Sequence, residues 1–325
     1  LAKIVPAGQA LDEAAALLAG GGIAAIPTET VYGLAADATN GEAVAGIFEA
    51  KGRPRFNPLI AHVCGLEMAE AIAHFDPLSR RLAETFWPGP LTLVAPLKQD
   101  GGIHPLVTAG LATIAVRMPM GFAAELVKRL GRPLAAPSAN SSGKVSATTP
   151  AAVETDLGAR IPLIVDGGRT PVGLESTIVK VVDGALRLLR PGGLAAEEIE
   201  KVSGVKLLRG SPDSDVEAPG MLSSHYAPAA HLRLDVDFVR EGEALLAFGP
   251  RRAKGAEHTS AALNLSQTGD LREAAANLFS HLQALDRSGA AVIAVEPVPH
   301  HGLGEAINDR LARAAAPRDN GLSGQ

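Results

Sequence analysis

An α/β fold divided between a larger N-terminal unit and a smaller C-terminal one is predicted by three observations. Helix-period and strand-period segments alternate along the chain instead of grouping by type, which is the pattern of layered α/β architectures. The texture changes after about Val205: residues 206–230 carry Gly210-Ser211-Pro212-Asp213-Ser214-Asp215 and Ala218-Pro219-Gly220 with weak periodicity, as a long surface connection does. Beyond that stretch, strand and helix patterns resume in an order that suggests a small, mostly parallel α/β domain. The 325 residues suffice for one large or two ordinary domains with a substantial core. The expected division is therefore 1–205, a connection over 206–230 that could cover a site, and 231–325.

The elements follow in order. Residues 11–19 are rich in Ala and Leu and stop at Gly20-Gly21-Gly22, a helix with a glycine stop. Residues 23–26 read as a buried strand. Asn40 or Thr39 can cap a helix running through Ala50, with Val44, Ile47 and Phe48 on one face. Asp76-Pro77 opens another helix that ends at Trp87-Pro88-Gly89-Pro90, and a strand over 91–95 follows. Further strands are expected at 113–119, 161–165 and 176–182. In the second unit, strands are expected at 244–248, 263–265 and 291–295, with helices from Leu271 to about Leu285 and from about Glu305.

Composition narrows the function classes. Hydrophobic residues make up 46% of the chain but aromatics only 3%, so Ala, Leu, Val and Ile must build the core. A net charge of −5 gives no global attraction to nucleic acid or an anionic membrane, although local basic patches remain compatible with it. Cys64 is the lone cysteine, which excludes an intramolecular disulfide and a cysteine-based metal site and reads as a small core filler. No signal-peptide pattern opens the sequence and no apolar run approaches the roughly twenty residues of a membrane span, so a cytosolic, soluble protein is expected. His225, His300 and His301 have no partner at zinc-like spacing.

Chemistry concentrates in a few segments. Pro27-Thr28-Glu29-Thr30-Val31-Tyr32-Gly33-Leu34 is followed within thirty residues by Lys51-Gly52-Arg53-Pro54 and Asn57-Pro58-Leu59. This places hydroxyls, a tyrosine and cations near one another, which suits a small anionic substrate better than a metal or a nucleophilic triad. Lys51, Arg53 and Arg55 either complement the dipole of the preceding helix or bind phosphates. In the strand around Arg117, period two puts Thr113, Ala115 and Arg117 on one face. A guanidinium there must meet an anion, either an internal Asp or Glu or the carboxylate of a ligand gripped in bidentate fashion. Residues 137–146, from Pro137 to Ser146, form a hydroxyl- and amide-rich loop. It is no Walker A loop, since Val145 follows Gly143-Lys144, but it is able to donate to phosphate oxygens unless it is an ordinary surface turn. No nucleophile elbow or Rossmann fingerprint occurs, leaving chemistry by positioning and electrostatics.

The motifs PTETVYGL, KGRP with NPLI and His62, PGPLT, TIAVRMP, PSANSSG, GLESTIV, LLRPGG and PGMLSSHYAP occur in one order over roughly residues 8–230. That order resembles the YrdC-like family in its longer, two-domain form, and GLGEAINDRLARAA fits the extra domain of that form. The resemblance implies a twisted, mixed-sheet catalytic domain with a large concave cavity, plus a smaller Rossmann-like domain. It implies the reaction of L-threonine, bicarbonate or CO2, and ATP with Mg2+ to give threonylcarbamoyl-AMP and pyrophosphate. Downstream enzymes would then transfer the threonylcarbamoyl group to an adenosine beside the tRNA anticodon, possible direct contact with tRNA included.

Carried over by residue, the resemblance implies an L-threonine site of Thr30, His62, Arg117 and Ser176. It implies an ATP site of Lys51, Arg53, Asn57, Thr113, Ser138, Asn140, Ser146, Arg190 and Tyr226, with Lys51 and Arg53 as the catalytic cations and Ser138 and Asn140 donating from the loop. Tyr226 lies in the connection, which would then have to fold over the cavity. No general base stands out. Two competing readings are a carbamoyl-adenylating carbamoyltransferase, disfavoured by the missing cysteine clusters, and an RNA-binding or ribosome-assembly module, disfavoured by the net charge.

Overall fold

The computed structural model describes residues 1–210, 217–220 and 225–317. The expected connection therefore falls partly outside the described residues, at 211–216 and 221–224, as does the end of the second domain at 318–325. The chain divides into two units: one takes residues 1–142 and the described part of 146–221, the other 143–145 and the described part of 222–325.

The first unit runs β1 (Lys3–Pro6), α1 (Ala7–Ala19), β2 (Ala24–Ile26), β3 (Gly33–Asp37), α2 (Gly41–Lys51), β4 (Ile60–His62), α3 (Leu66–Ile72), α4 (Pro77–Phe86), β5 (Leu91–Pro96) and α5 (Pro105–Thr108). It continues with β6 (Thr113–Arg117), α6 (Phe122–Leu130), β7 (Leu134–Ala135), α7 (Pro150–Leu157), β8 (Leu163–Asp166), β9 (Thr177–Val182), β10 (Ala185–Arg190), α8 (Ala196–Ser203) and β11 (Leu207–Arg209). Among the described residues these strands form one mixed sheet in the order β1-β8-β2-β3-β7-β4-β6-β5-β9-β10-β11. Strand β11 falls inside the stretch read as a connection; it pairs parallel to β10, Leu186 opposite Leu207.

Local chemistry explains the elements that position the site. Asn40, not Thr39, caps α2: its Oδ1 accepts from the backbone N–H of Glu42 at 3.0 Å and Ala43 at 3.2 Å, while Thr39 is held by Asp37. Gly52 closes the same helix in the left-handed region at φ 59°, a conformation glycine adopts without a Cβ penalty. This stop leaves Lys51 as the last helical residue and Arg53 at the head of the basic loop. Asp76 caps α4 and Pro77 begins it, as expected.

The core is aliphatic. Helices α1 and α6 bury Leu18, Leu126 and Val127 against Ile26, Leu163 and Val165, and α2 buries Val44, Ile47 and Phe48 against Tyr32, Leu34 and Leu59. Each such large side chain contributes roughly 1.5–3 kcal/mol relative to exposure, which explains how a chain so poor in aromatics holds a large sheet. Cys64 is half-buried beside the α1/α6 core.

The second unit is a four-stranded sheet of β12 (His231–Arg233), β13 (Ala244–Ala247), β14 (Ala262–Asn264) and β15 (Val292–Val295), in the order β12-β15-β13-β14 with every ladder parallel. Helices α9 (Leu271–Asp286) and α10 (Leu303–Ala315) accompany it. No helix among the described residues is long and apolar enough to cross a membrane.

Candidate active site

The register of four adjacent strands builds the site. Ile60 and His62 on β4 pair with Ala115 and Arg117 on β6, and Val94 on β5 also faces Ala115. On β9, Ile178 pairs with Thr92 of β5. Side chains alternate between faces, so His62, Arg117, Thr92, Val94, Ile178 and Ser176, two residues before Ile178, share one face. The packing agrees: Ile60, Val94, Ala115 and Ile178 form one cluster with Ala218, whereas Ala61, Ile114 and Val116 pack on the opposite side against Ile72 of α3. Thr113 lies four residues before Arg117 on the same face.

Arg117 is buried and meets an internal anion. Its Nη2 donates to Glu29 Oε1 at 2.6 Å and its Nε to the Gly89 carbonyl at 3.2 Å, while Glu29 Oε2 accepts from the Met120 N–H at 3.0 Å. The side-on edge of the guanidinium is thereby engaged, leaving the two Nη1 N–H groups and the second N–H of Nη2 able to reach a ligand. Of the two expectations for Arg117, the internal ion pair is realised, and the Nη1–Nη2 edge keeps N–H groups for a ligand carboxylate.

His62 is 2% exposed, and neither ring nitrogen has a hydrogen-bond partner. Burial, followed by the neighbouring Arg117 charge, pushes its pKa well below the ordinary histidine range, so the ring is neutral. Ser176 is buried, and its hydroxyl lies 2.7 Å from that of Thr92. Its carbonyl accepts from Arg190 Nη2 at 2.9 Å, and Arg190 Nη1 donates to the Pro219 carbonyl at 3.1 Å. Thr30 is fully buried with its hydroxyl 2.8 Å from that of Thr28, whose oxygen lies 2.7 Å from the Val31 carbonyl. The hydroxyl of the core residue Tyr32 donates to Gly168 O at 2.8 Å, and burial raises its pKa to about 12.

The basic loop is equally ordered. Lys51 is buried and donates to the carbonyls of Ser138 and Asn140. Burial, then the nearby Arg53 charge, lowers its pKa well below the ordinary lysine range. Arg53 donates through Nη2 to Asn57 Oδ1 and to the Pro58 carbonyl, both at 2.7 Å, and the Asn57 amide nitrogen is buried without a partner. Ser146 donates to the buried carboxylate of Glu175. The first unit thus joins Lys51 to Ser138 and Asn140 and Arg53 to Asn57, pairs His62 with Arg117 across the ladder, and puts Ser176 on the same face of the sheet. Tyr226 lies in the second unit, its ring stacked on Phe279 at 5.6 Å with the Arg310 guanidinium 4.9 Å above it.

Glu29, Thr92 and Glu175 stand inside the motifs PTETVYGL, PGPLT and GLESTIV, but the sequence alone assigns them no role. The alternation that placed Arg117 on a face would have found Thr92, since the strand over 91–95 was already in hand. For the two acids, only the register and the loops reveal what each carboxylate touches. Among the described residues, no three His, Cys, Asp or Glu side chains cluster as a metal cage.

Comparison with known proteins covers both units. The profile of the Sua5/YciO/YrdC family, described as telomere recombination, matches residues 16–192, and that described as threonylcarbamoyl-AMP synthase, C-terminal domain, matches residues 194–316. The chain is 41% identical to the threonylcarbamoyl-AMP synthase of Pyrococcus abyssi over 94% of each chain. It is 40% identical to that of Bacillus subtilis, covering 95% of this chain and 93% of the relative. The crystal structure of P. abyssi Sua5 complexed with L-threonine superposes with a TM-score of 0.86 at 39% identity, covering 96% of this chain and 97% of that one. The chain belongs to the Sua5/YciO/YrdC family, in the form that carries the C-terminal domain of the threonylcarbamoyl-AMP synthases.

Proposed function

We propose that the chain is a threonylcarbamoyl-AMP synthase, a nucleotidyltransferase that condenses L-threonine, CO2 or bicarbonate, and ATP, acting in the cytosol for tRNA modification. The observation that carries this reading is the end-to-end match, across both units, to relatives of that name from an archaeon, a bacterium and a fission yeast. Downstream threonylcarbamoyl-transfer enzymes are the expected consumers of the product.

The geometry supports an assignment of roles. The polar face of β4–β6–β5–β9 takes the amino acid: Arg117 Nη1 meets its carboxylate, and His62, Ser176 and Thr30 surround the rest. The basic loop and the 138–146 segment take the nucleotide, with Arg53, Asn57, Thr113, Ser146 and Arg190 around it. A protonated Lys51 uses two of its three N–H groups on the 138–140 loop and keeps one for a phosphate oxygen. The arriving anion favours the charged form of Lys51 and opposes the effect of burial.

The donor set fits a Mg2+ that arrives on ATP. Such an ion keeps waters and phosphate oxygens and needs only one or two carboxylates, and Glu175, which accepts from Ser146, is a carboxylate beside that segment. Bound with the nucleotide, it supplies charge neutralisation on the phosphates. The remaining work belongs to the chain: aligning three reactants and excluding water from a carbamate that decomposes readily.

Labelled bicarbonate tests the product. Incubation with ATP and L-threonine should place the label in an adduct containing both threonine and AMP, detected by mass spectrometry. Formation of threonyl-AMP without the label would replace the proposal with simple amino-acid adenylation.

A further inference from the structure

The amino acid reaches any enzyme at neutral pH chiefly as an ammonium, which has no lone pair with which to attack CO2. The reaction proposed above therefore requires a proton acceptor beside the α-nitrogen, and no base was evident in the sequence. His62 has the geometry. It is 2% exposed, its two ring nitrogens lack partners, and it lies directly across the parallel ladder from Arg117. A buried polar atom without a partner costs about 1–3 kcal/mol, so this ring is held for something that arrives.

Neighbouring strands lie about 4.8 Å apart. A carboxylate on Arg117 Nη1 has its α-nitrogen only one carbon away, which brings that nitrogen within reach of the His62 ring. We propose that His62 is the proton acceptor that frees the α-amine of the bound amino acid, an inference that rests on the synthase reading. Burial first, and the Arg117 charge after it, keep the empty-site ring neutral with both nitrogens unengaged; a carboxylate arriving on Arg117 offsets that charge and favours proton uptake by the ring, while burial opposes it.

The step balances as follows. An ammonium N–H bond breaks and its proton moves to an imidazole nitrogen. The freed lone pair forms an N–C bond to CO2, and a second proton leaves to solvent, giving the carbamate anion. A carbamate oxygen then bonds to the α-phosphorus of ATP as the bond from that phosphorus to the leaving pyrophosphate oxygen breaks. His62 returns its proton to solvent between turnovers.

The test compares the parent enzyme with His62→Gln and His62→Ala at saturating L-threonine, with threonine affinity measured separately by calorimetry. General-base catalysis is worth about 10²–10⁴-fold, so kcat should fall by about that factor in His62→Gln while Kd for threonine changes less than about tenfold. Added imidazole should restore part of the turnover of His62→Ala. An unchanged kcat with a raised Kd would make His62 a binding contact only and overturn the proposal. Parent enzyme without threonine-dependent turnover would overturn the synthase reading along with it. Should the variants fail to fold, ¹⁵N-histidine NMR of the parent reads the same contact. L-threonine should hydrogen-bond one nitrogen of a buried imidazole and shift its ¹⁵N resonance, whereas 2,3-dihydroxybutyrate, which has no amine, should not; no response to threonine would overturn the proposal.

Discussion

Removing Glu29 should damage both the stability of the first unit and its grip on threonine. Glu29 accepts from Arg117 and from the Met120 N–H, and both side chains of the ion pair are buried, at 4% and 8% exposure. Glu29→Ala strands a buried guanidinium and orphans a backbone donor. Breaking a buried pair from one side costs about 3–5 kcal/mol. At roughly 2–4 °C per kcal/mol for a unit of this size, the melting temperature should drop on the order of 10 °C. The guanidinium, no longer held through Nη2, should also lose its aim, and KM for L-threonine should rise. A double-mutant cycle with Arg117→Met is the decisive assay, read by urea unfolding. Because the two groups stabilise each other, the double variant should be less destabilised than the sum of the singles. Strict additivity, or a Glu29→Ala variant melting within about 2 °C of the parent, would refute the reasoning.

Three further outcomes are expected. A Cβ at Gly192 would collide with the backbone of Glu175–Thr177, so Gly192→Ala should displace Ser176 and Glu175 and weaken threonine and ATP binding together; wild-type affinities by calorimetry would contradict this. Asn40→Ala removes the cap of α2 and should cost about 1 kcal/mol in urea unfolding, with no effect on KM for threonine. His62 is harder to protonate in the folded chain than at its ordinary value of 6.5, so the unfolded chain binds the extra proton first. Stability should therefore rise with pH through the window between its depressed folded pKa and 6.5, with the penalty complete below that window and absent above it. His62→Gln should flatten that part of the curve, and identical slopes in parent and variant would count against a buried histidine.

The alternation of Thr113, Ala115 and Arg117 was readable because a strand fixes side-chain direction by counting, and the caps at Asn40 and Asp76 were readable because capping is local. The motifs carried the family. The middle of the sheet was less legible: β3, β4 and β7 span only 2–5 residues, too short for periodicity to register, and their order depends on crossovers that no local pattern encodes. The partner of Arg117 was expected to be an anion, but Glu29 lies 88 positions away in sequence and is brought there by a loop. The solitude of His62 was wholly illegible, since the lack of a hydrogen-bond partner is a property of packing. Lys51 was expected among phosphates, yet two backbone carbonyls hold it, which links helix α2 to the 138–140 loop.

The most direct test of the account is pyrophosphate release from ATP, measured with L-threonine, L-serine, L-valine or no amino acid, with and without bicarbonate after CO2 removal. Release should require both L-threonine and bicarbonate. It should fall on the order of 10⁴-fold with valine if the site bonds the threonine hydroxyl, and less with serine, which lacks only a methyl. Release that needs threonine but is indifferent to bicarbonate, or no threonine-dependent release at all, would contradict the synthase account.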